Sequence, residues 1–281
     1  MMASERSRHA SRKAGAAKWL FITIAVLVQM TPFYLVITTA FKARTDTSSL
    51  WLPPFAHATT DNLVTALNGG HLVWALENGL LVTFASTVLT CIVGSMAAYP
   101  LARRRTRLNR LVSLLILGVL MVPPLSILVP LYTMFARLGL LNTYGGLILV
   151  LTTLQLPLAV FLFTQFMRGL PVSLEEAAAI DGAGLFITFT RIVLPSLKPV
   201  MATVTIVTAT QVWNEFAMSS YITSTPEMRP LAPAAASFFA TQSNNIGAAA
   251  GAALIGLVPI LVVYLFLQKY FVKGALAGTG K

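Results

Sequence analysis

The chain has 281 residues, 56% of them hydrophobic and only 10% charged, which leaves too little polar side chain to coat an ordinary soluble domain. Its formal net charge of +11 could suit nucleic acid, but the positive residues are segregated to loops on one side of the apolar segments, so no nucleic-acid partner is required. The single cysteine, Cys91, excludes an intrachain disulfide, and His9, His57 and His71 are too scattered to imply a metal site.

A helix needs roughly 20 mostly apolar residues to cross the hydrocarbon core of a bilayer. Six stretches qualify: Trp19–Phe41, Gly79–Leu101, Leu111–Phe135, Tyr144–Met167, Val200–Ile222 and Ile246–Leu267. They are apolar all round and do not alternate, which argues against a β-barrel. The expected fold is an all-α integral membrane protein: a cytoplasmic segment over 1–18, a six-helix transmembrane domain over 19–272, and a cytoplasmic tail over 273–281.

The first stretch follows Arg6, Arg8, Arg12, Lys13 and Lys18, as a secretory signal would, but it exceeds a signal core and lacks a small-residue cleavage site. It is expected to remain as the first helix. The second holds Cys91, read as a small buried hydrophobe. The third contains MVPPLSILVP, in which Pro123, Pro124 and Pro130 remove backbone donors; the bend either lines a pathway or shapes packing. Pro32, Pro157 and Pro259 interrupt the first, fourth and sixth stretches. The sixth opens IGAAAGAALIG, whose Gly247, Gly251, Ala248 and Ala252 suit close approach of another helix, in this chain or a second one.

Sixteen of the 20 Lys and Arg residues fall on the side of the chain termini, and only Lys42, Arg44, Arg137 and Arg229 fall on the other. That asymmetry places both termini in the cytoplasm and makes anionic inner-leaflet lipid a natural partner. Glu215 is the one charged residue within the six stretches, in the outer half of the fifth. A lone carboxylate there either serves the translocation pathway, with Trp213 and Asn214, or makes a structural hydrogen bond.

One long inside loop, 168–199, separates the fourth and fifth stretches. Ser173 stands three residues before Glu176, a capping-box spacing that predicts a short helix over Leu174–Asp181. Glu175 and Glu176 favour its N-terminal dipole, and Gly182 and Gly184 end it. A second amphipathic piece is predicted over Leu185–Val193, ended by Pro195. Such a small helical pair has little surface of its own to bury, so it docks either on a cytoplasmic partner or on lipid headgroups.

The order Glu176, Ala177, Ala178, Gly182, Ile192, Leu194, Pro195 resembles the EAA signature of binding-protein-dependent ABC transporter permeases. The stretches ENGLLVT, AAYPLARRR, VPLYTMFARLGLLNTYGGLIL, VWNEF and QKYFVKG extend the likeness along most of the chain, toward the smaller permease subunits of maltose-type sugar importers. It departs at the C terminus, where GALAGTGK replaces the usual ending near AGAVKG.

The resemblance implies a heterodimer with a second permease, an ATPase dimer below, and an extracytoplasmic solute-binding protein above. The loop helix would be the coupling helix seated in the ATPase. Glu176 would face basic residues there, Asp181 and Gly182 would set the docking angle, and Glu175 would assist or be solvated. Pro123, Pro124, Trp213, Asn214 and Glu215 are candidates for the pathway or its gate. This chain would bind no cofactor, leaving ATP and magnesium to the ATPase, since it has no phosphate-binding G-x-x-x-x-G-K-[ST] loop. The expected cargo is a di- or oligosaccharide, with glycerol phosphate or another small solute as the alternative. A secondary transporter or channel subunit is the distant rival, and it lacks the expected internal repeat and cluster of intramembrane ionisable residues.

Overall fold

The computed structural model describes residues 2–55, 57–69, 71–241 and 245–278; the final residues of the expected tail, 279–281, lie outside them. In chain order the helices are α1 (Met2–Ala40), α2 (Asp61–Asn68), α3 (Leu72–Arg103), α4 (Arg107–Leu120), α5 (Leu128–Leu138), α6 (Tyr144–Arg168) and α7 (Ser173–Ile180). After these come α8 (Leu185–Thr188), α9 (Leu194–Ser196), α10 (Lys198–Trp213), α11 (Ala217–Ile222), α12 (Leu231–Thr241) and α13 (Ile246–Gly278). Among the described residues there is no strand. Within the described residues four helices are long and apolar enough to cross a membrane, at Lys18–Ala40, Leu72–Arg103, Tyr144–Arg168 and Ile246–Phe266. Counting each of two bent pairs as one span raises the number to six.

The third stretch is bent at its prolines, as expected. The third stretch is two helices, α4 and α5, joined by a 3-10 turn over Pro124–Ile127, and its two halves are bent by 96°. The cause is the Pro pair. Pro124 drives Pro123 out of the helical region, to φ −62° and ψ 127°, and neither proline offers an amide to continue the ladder. The fifth stretch also breaks, with α10 ending at Trp213 and α11 starting at Ala217. Glu215 therefore lies between helices and not within one.

The chain divides into two compact units. One combines Met1–Ala66 with Gln242–Ile255. Its centre is Asn62, a buried amide that donates from Nδ2 to the Lys42 carbonyl at 2.7 Å and to the Ala40 carbonyl at 3.2 Å. The Lys42 ammonium is buried too, and it is offset by the Ser48 hydroxyl at 2.7 Å and the Ser49 carbonyl at 2.6 Å, with Asp46 at 3.9 Å. Hydrogen bonds from the Ser48 side chain and amide, then the Lys42 charge, hold the Asp46 carboxyl below its ordinary range. The small-residue face of α13 packs here. A Cβ on Gly247 or Gly251 would stand 2.5 Å from the Asn62 side chain or 2.9 Å from its carbonyl oxygen. The partner that these glycines admit is thus α2 of the same chain.

The other unit combines Leu67–Thr241 with Gly256–Lys281. Helices α3, α6 and α10 form its spine, with a core that includes Ala98, Ala159, Phe163, Met167, Leu197 and Val204. Gly94 lets α3 approach α6, since a Cβ there would meet Ala159 at 3.2 Å. A second cluster joins Val82, Phe135, Leu147, Leu151, Met218 and Ile222. At the opposite end of α3 from Arg103, Asn78 donates to the Glu227 and Arg229 carbonyls at 2.6 and 3.2 Å and accepts from the Tyr144 hydroxyl at 2.6 Å.

Candidate functional site

The loop leaves α6 through Gly169 and Pro171 and folds at once into α7. The predicted capping box does not form. Val172 is already helical, at φ −67° and ψ −27°, and its carbonyl accepts from the amides of Glu175 and Glu176 at 2.9 and 3.1 Å. Ser173 is consequently inside the helix, where its hydroxyl cannot act as an N-cap. The C-terminal end does follow the sequence reading. Gly182 adopts φ +79°, its amide donates to the Ala179 carbonyl at 3.1 Å, and the Ala183 amide donates to the Ala178 carbonyl at 2.9 Å. These two bonds make a Schellman motif, so the interval from Ala178 to Gly182 is the interval that this stop requires.

Pro195 does not end the second piece. Helix α8 continues into a π turn over Phe189–Val193 and then α9, and the 74° bend falls at Leu197, before α10. The wider π spacing absorbs the donor that proline lacks, with the Leu194 amide reaching the Phe189 carbonyl. Ile192 and Leu194 are half-buried, Val193 and Leu197 are buried in the core, and Pro195 is exposed.

Glu175 is the principal departure at this site. Its carboxylate is largely enclosed and already paired: Arg103 Nε stands 2.6 Å from Oε1 and the Tyr99 hydroxyl donates to Oε2 at 2.8 Å. Arg103 Nη1 also donates to the Met167 carbonyl at 2.7 Å, so α3, the end of α6 and α7 are tied at one point. Tyr99 and Arg103 are four residues apart on one face of α3; that spacing was visible in the sequence, but their partner 72 residues later was not. Glu176 points a different way. It is exposed, as are Ala177 and Asp181, whereas Ala178 is buried beneath α7. Ile180, one turn after Glu176, is 86% exposed, and in α8 Leu185 is 65% exposed and Phe186 75%, Phe186 bordering an apolar groove along α3. Water is a poor neighbour for such side chains, which suits a protein partner.

The candidate pathway residues occupy two places. Pro123 and Pro124 form the exposed bend between α4 and α5. Trp213 is buried, and its indole donates to the Gly256 carbonyl at 3.1 Å. Asn214 is exposed and donates to the Thr210 carbonyl at 2.8 Å. The Glu215 carboxylate accepts from the amides of Met218 and Ser219 at 2.7 and 2.8 Å and from the Ser219 hydroxyl at 2.7 Å. It satisfies the free amides at the start of α11, a structural hydrogen-bonding role. No hydrogen bond links the two places among the described residues. A clasp missed in the sequence holds the end of α11: Asn142 Oδ1 accepts from the Ser224 and Thr225 amides at 3.0 and 3.2 Å, and Asn142 itself takes φ +54°.

Long apolar helices with no strand among the described residues define an all-α membrane protein. The chain belongs to the family described as binding-protein-dependent transport system inner membrane component, which matches residues 91–276 and makes it a multi-pass inner-membrane protein. It is similar to the melibiose/raffinose/stachyose import permease MelC of Bacillus subtilis, 39% identical over 263 residues that cover 93% of this chain and 95% of the relative. It is also similar to the multiple sugar-binding transport system permease MsmG of Streptococcus mutans, 31% identical over 94% of this chain and 96% of that one. The fold matches a chain in the crystal structure of a bacterial ABC transporter involved in the import of the acidic polysaccharide alginate, with a TM-score of 0.81, 21% identity, and coverage of 93% of this chain and 98% of that one.

Proposed function

We infer that this chain is a permease subunit of an ATP-driven importer of di- or oligosaccharides, and that it forms the translocation pathway with a second permease. In this reading α4 with α5 completes one span and α10 with α11 another, giving six, and both termini are cytoplasmic. The loop 168–199 docks on an ATPase dimer that binds ATP and magnesium, and an extracytoplasmic solute-binding protein delivers the sugar. Support for a sugar cargo comes from what the similar permeases are named for importing.

The observation that carries the coupling role is the tie of Tyr99, Arg103 and Glu175 at the base of α7, whose Glu176 and Ile180, four residues apart, are exposed. Glu176 meets basic residues of the ATPase, and Asp181 and Gly182 set the angle of the knob. When the ATPase dimer closes on ATP, α7 is pulled with it. The tie passes that displacement to α3 and α6 without slack, which turns a local stroke into a change of access across the membrane.

The test is expression of Glu176→Ala and Gly182→Leu variants with the neighbouring ATPase and permease. Loss of ATPase from the purified assembly, together with lost uptake of radiolabelled raffinose by cells, is expected. Full retention of the ATPase with sugar-stimulated hydrolysis at the wild-type rate would refute the docking assignment.

A further inference from the structure

Between α3 and α4 the chain turns through Arg104, Arg105 and Thr106, and the turn is pinned. Thr106 Oγ1 accepts from the Asn109 amide at 3.1 Å, while Asn109 Nδ2 donates to the Pro100 and Arg104 carbonyls at 2.9 and 2.7 Å. Beside it lies a cleft of about 790 Å³ bordered by Arg103, Arg104, Arg105, Arg110, Arg168 and Glu175. Glu175 is committed to Arg103, and Arg168 uses one arm on the Leu101 carbonyl at 3.3 Å. Arg104, Arg105 and Arg110 have no carboxylate partner among the described residues. Arg103 Nη2 is enclosed and has no acceptor, so an anionic oxygen entering the cleft would satisfy a donor that the fold leaves unpaired.

The cleft also has an apolar wall. Leu114 and Leu117 line it, three residues apart on one face of α4, and both are exposed, as is Leu111 one turn earlier. A soluble anion would use the arginines and leave this wall wet. An amphiphile uses both. We propose that the cleft seats the phosphate headgroup of an anionic phospholipid, with an acyl chain lying along Leu111, Leu114 and Leu117. On the topology of the proposed function this lipid belongs to the inner leaflet. The pinned turn fixes the backbone from which Arg104 and Arg105 project, which lowers part of the ordering cost of binding.

The experiment is native mass spectrometry of the purified importer complex in detergent, with phosphatidylglycerol or phosphatidylcholine added in parallel. The wild type is expected to retain phosphatidylglycerol over phosphatidylcholine, and a variant carrying Arg104→Gln, Arg105→Gln and Arg110→Gln is expected to lose retention by about fivefold per arginine removed. A variant with Arg191→Gln and Lys198→Gln, which removes positive charge from the 168–199 loop outside the cleft, keeps it. Equal retention of both lipids, or equal loss in the two variants, would overturn the site. Displacement of phosphatidylglycerol by millimolar glycerol phosphate or inorganic phosphate would assign the cleft to a soluble anion instead, and binding seen only after the ATPase is stripped away would assign it to that protein. Topology is read separately: an Arg105→Cys variant labelled by an impermeant maleimide in intact cells would overturn the inner-leaflet placement and the proposed orientation, whatever the lipid selectivity.

Discussion

Replacing Glu175 by Gln should weaken the protein far more than replacing the adjacent Glu176. The Arg103 and Glu175 side chains are only 13% and 12% exposed, and their contact at 2.6 Å is among the closest polar contacts of the fold. Glu175→Gln leaves the Arg103 guanidinium enclosed without a counter-charge, and removal of one partner from a buried pair costs about 3 kcal/mol. For a membrane domain of this size that corresponds to a fall of roughly 5–10 °C in melting temperature. Glu176 is exposed, and its loss should cost under about 0.5 kcal/mol of stability while reducing ATPase retention. The two functions of neighbouring glutamates are therefore separable.

Thermal melting of the detergent-solubilised complex, followed by tryptophan fluorescence, provides the assay, and a double-mutant cycle supplies the control. Arg103→Met combined with Glu175→Leu removes both charges together, so its cost should fall below the sum of the single costs by about 2 kcal/mol. Tyr99→Phe should cost less than either charge removal, because it deletes one donor to a carboxylate that keeps its ion pair. Additive losses in the cycle, or a melting temperature for Glu175→Gln within a degree of wild type, would refute the view that this contact ties the knob to α3.

Three further outcomes follow from the packing. Gly182→Ala should lose about 1 kcal/mol, because φ +79° is costly for an L side chain although nothing crowds the position, and Gly182→Asn should lose less; ATPase co-purification and melting read both. Asn78→Ala should cost about 2 kcal/mol by stranding the Tyr144 hydroxyl and the Glu227 and Arg229 carbonyls, and Asn78→Asp should be worse, since it faces those carbonyls with oxygen; melting temperatures that reverse this order would count against the hub. Gly251→Val should lower folded yield on size-exclusion chromatography, because its Cβ would meet the Asn62 backbone at 2.9 Å, whereas Gly118→Val, at an open position, should not.

What could be read from the sequence and what could not divide along physical lines. The long spans were legible because twenty apolar residues can do little else, and α3 and α6 lie where the apolar runs placed them. The Schellman stop was legible because it depends on residues four apart. The broken third and fifth spans were less so: a Pro pair announces a bend without its angle, and nothing local announces that Glu215 caps α11. The capping box failed for a related reason, since a helix that begins one residue early makes Ser173 an interior position whatever its spacing to Glu176.

The tie at Glu175 lay beyond any local pattern, because Tyr99, Arg103 and Met167 reach it from two other helices. It also changes what the motif means. Of two adjacent glutamates in the first turn of α7, one is turned inward to hold the helix to the bundle, and the next is left outward, one turn before the exposed Ile180. A docking element that was only exposed would yield at its own hinge when pulled, and little of the pull would reach the spans. An element bonded at its base to α3 and α6 moves with them, so with α7 docked as proposed the inward glutamate would be what allows the outward one to transmit force. Under that reasoning a Glu175→Gln complex should keep its ATPase, through an intact Glu176 surface, yet hydrolyse ATP with reduced dependence on sugar-loaded binding protein. A variant that lost the ATPase outright, or stayed fully sugar-dependent, would show that the two glutamates do not divide the work in this way.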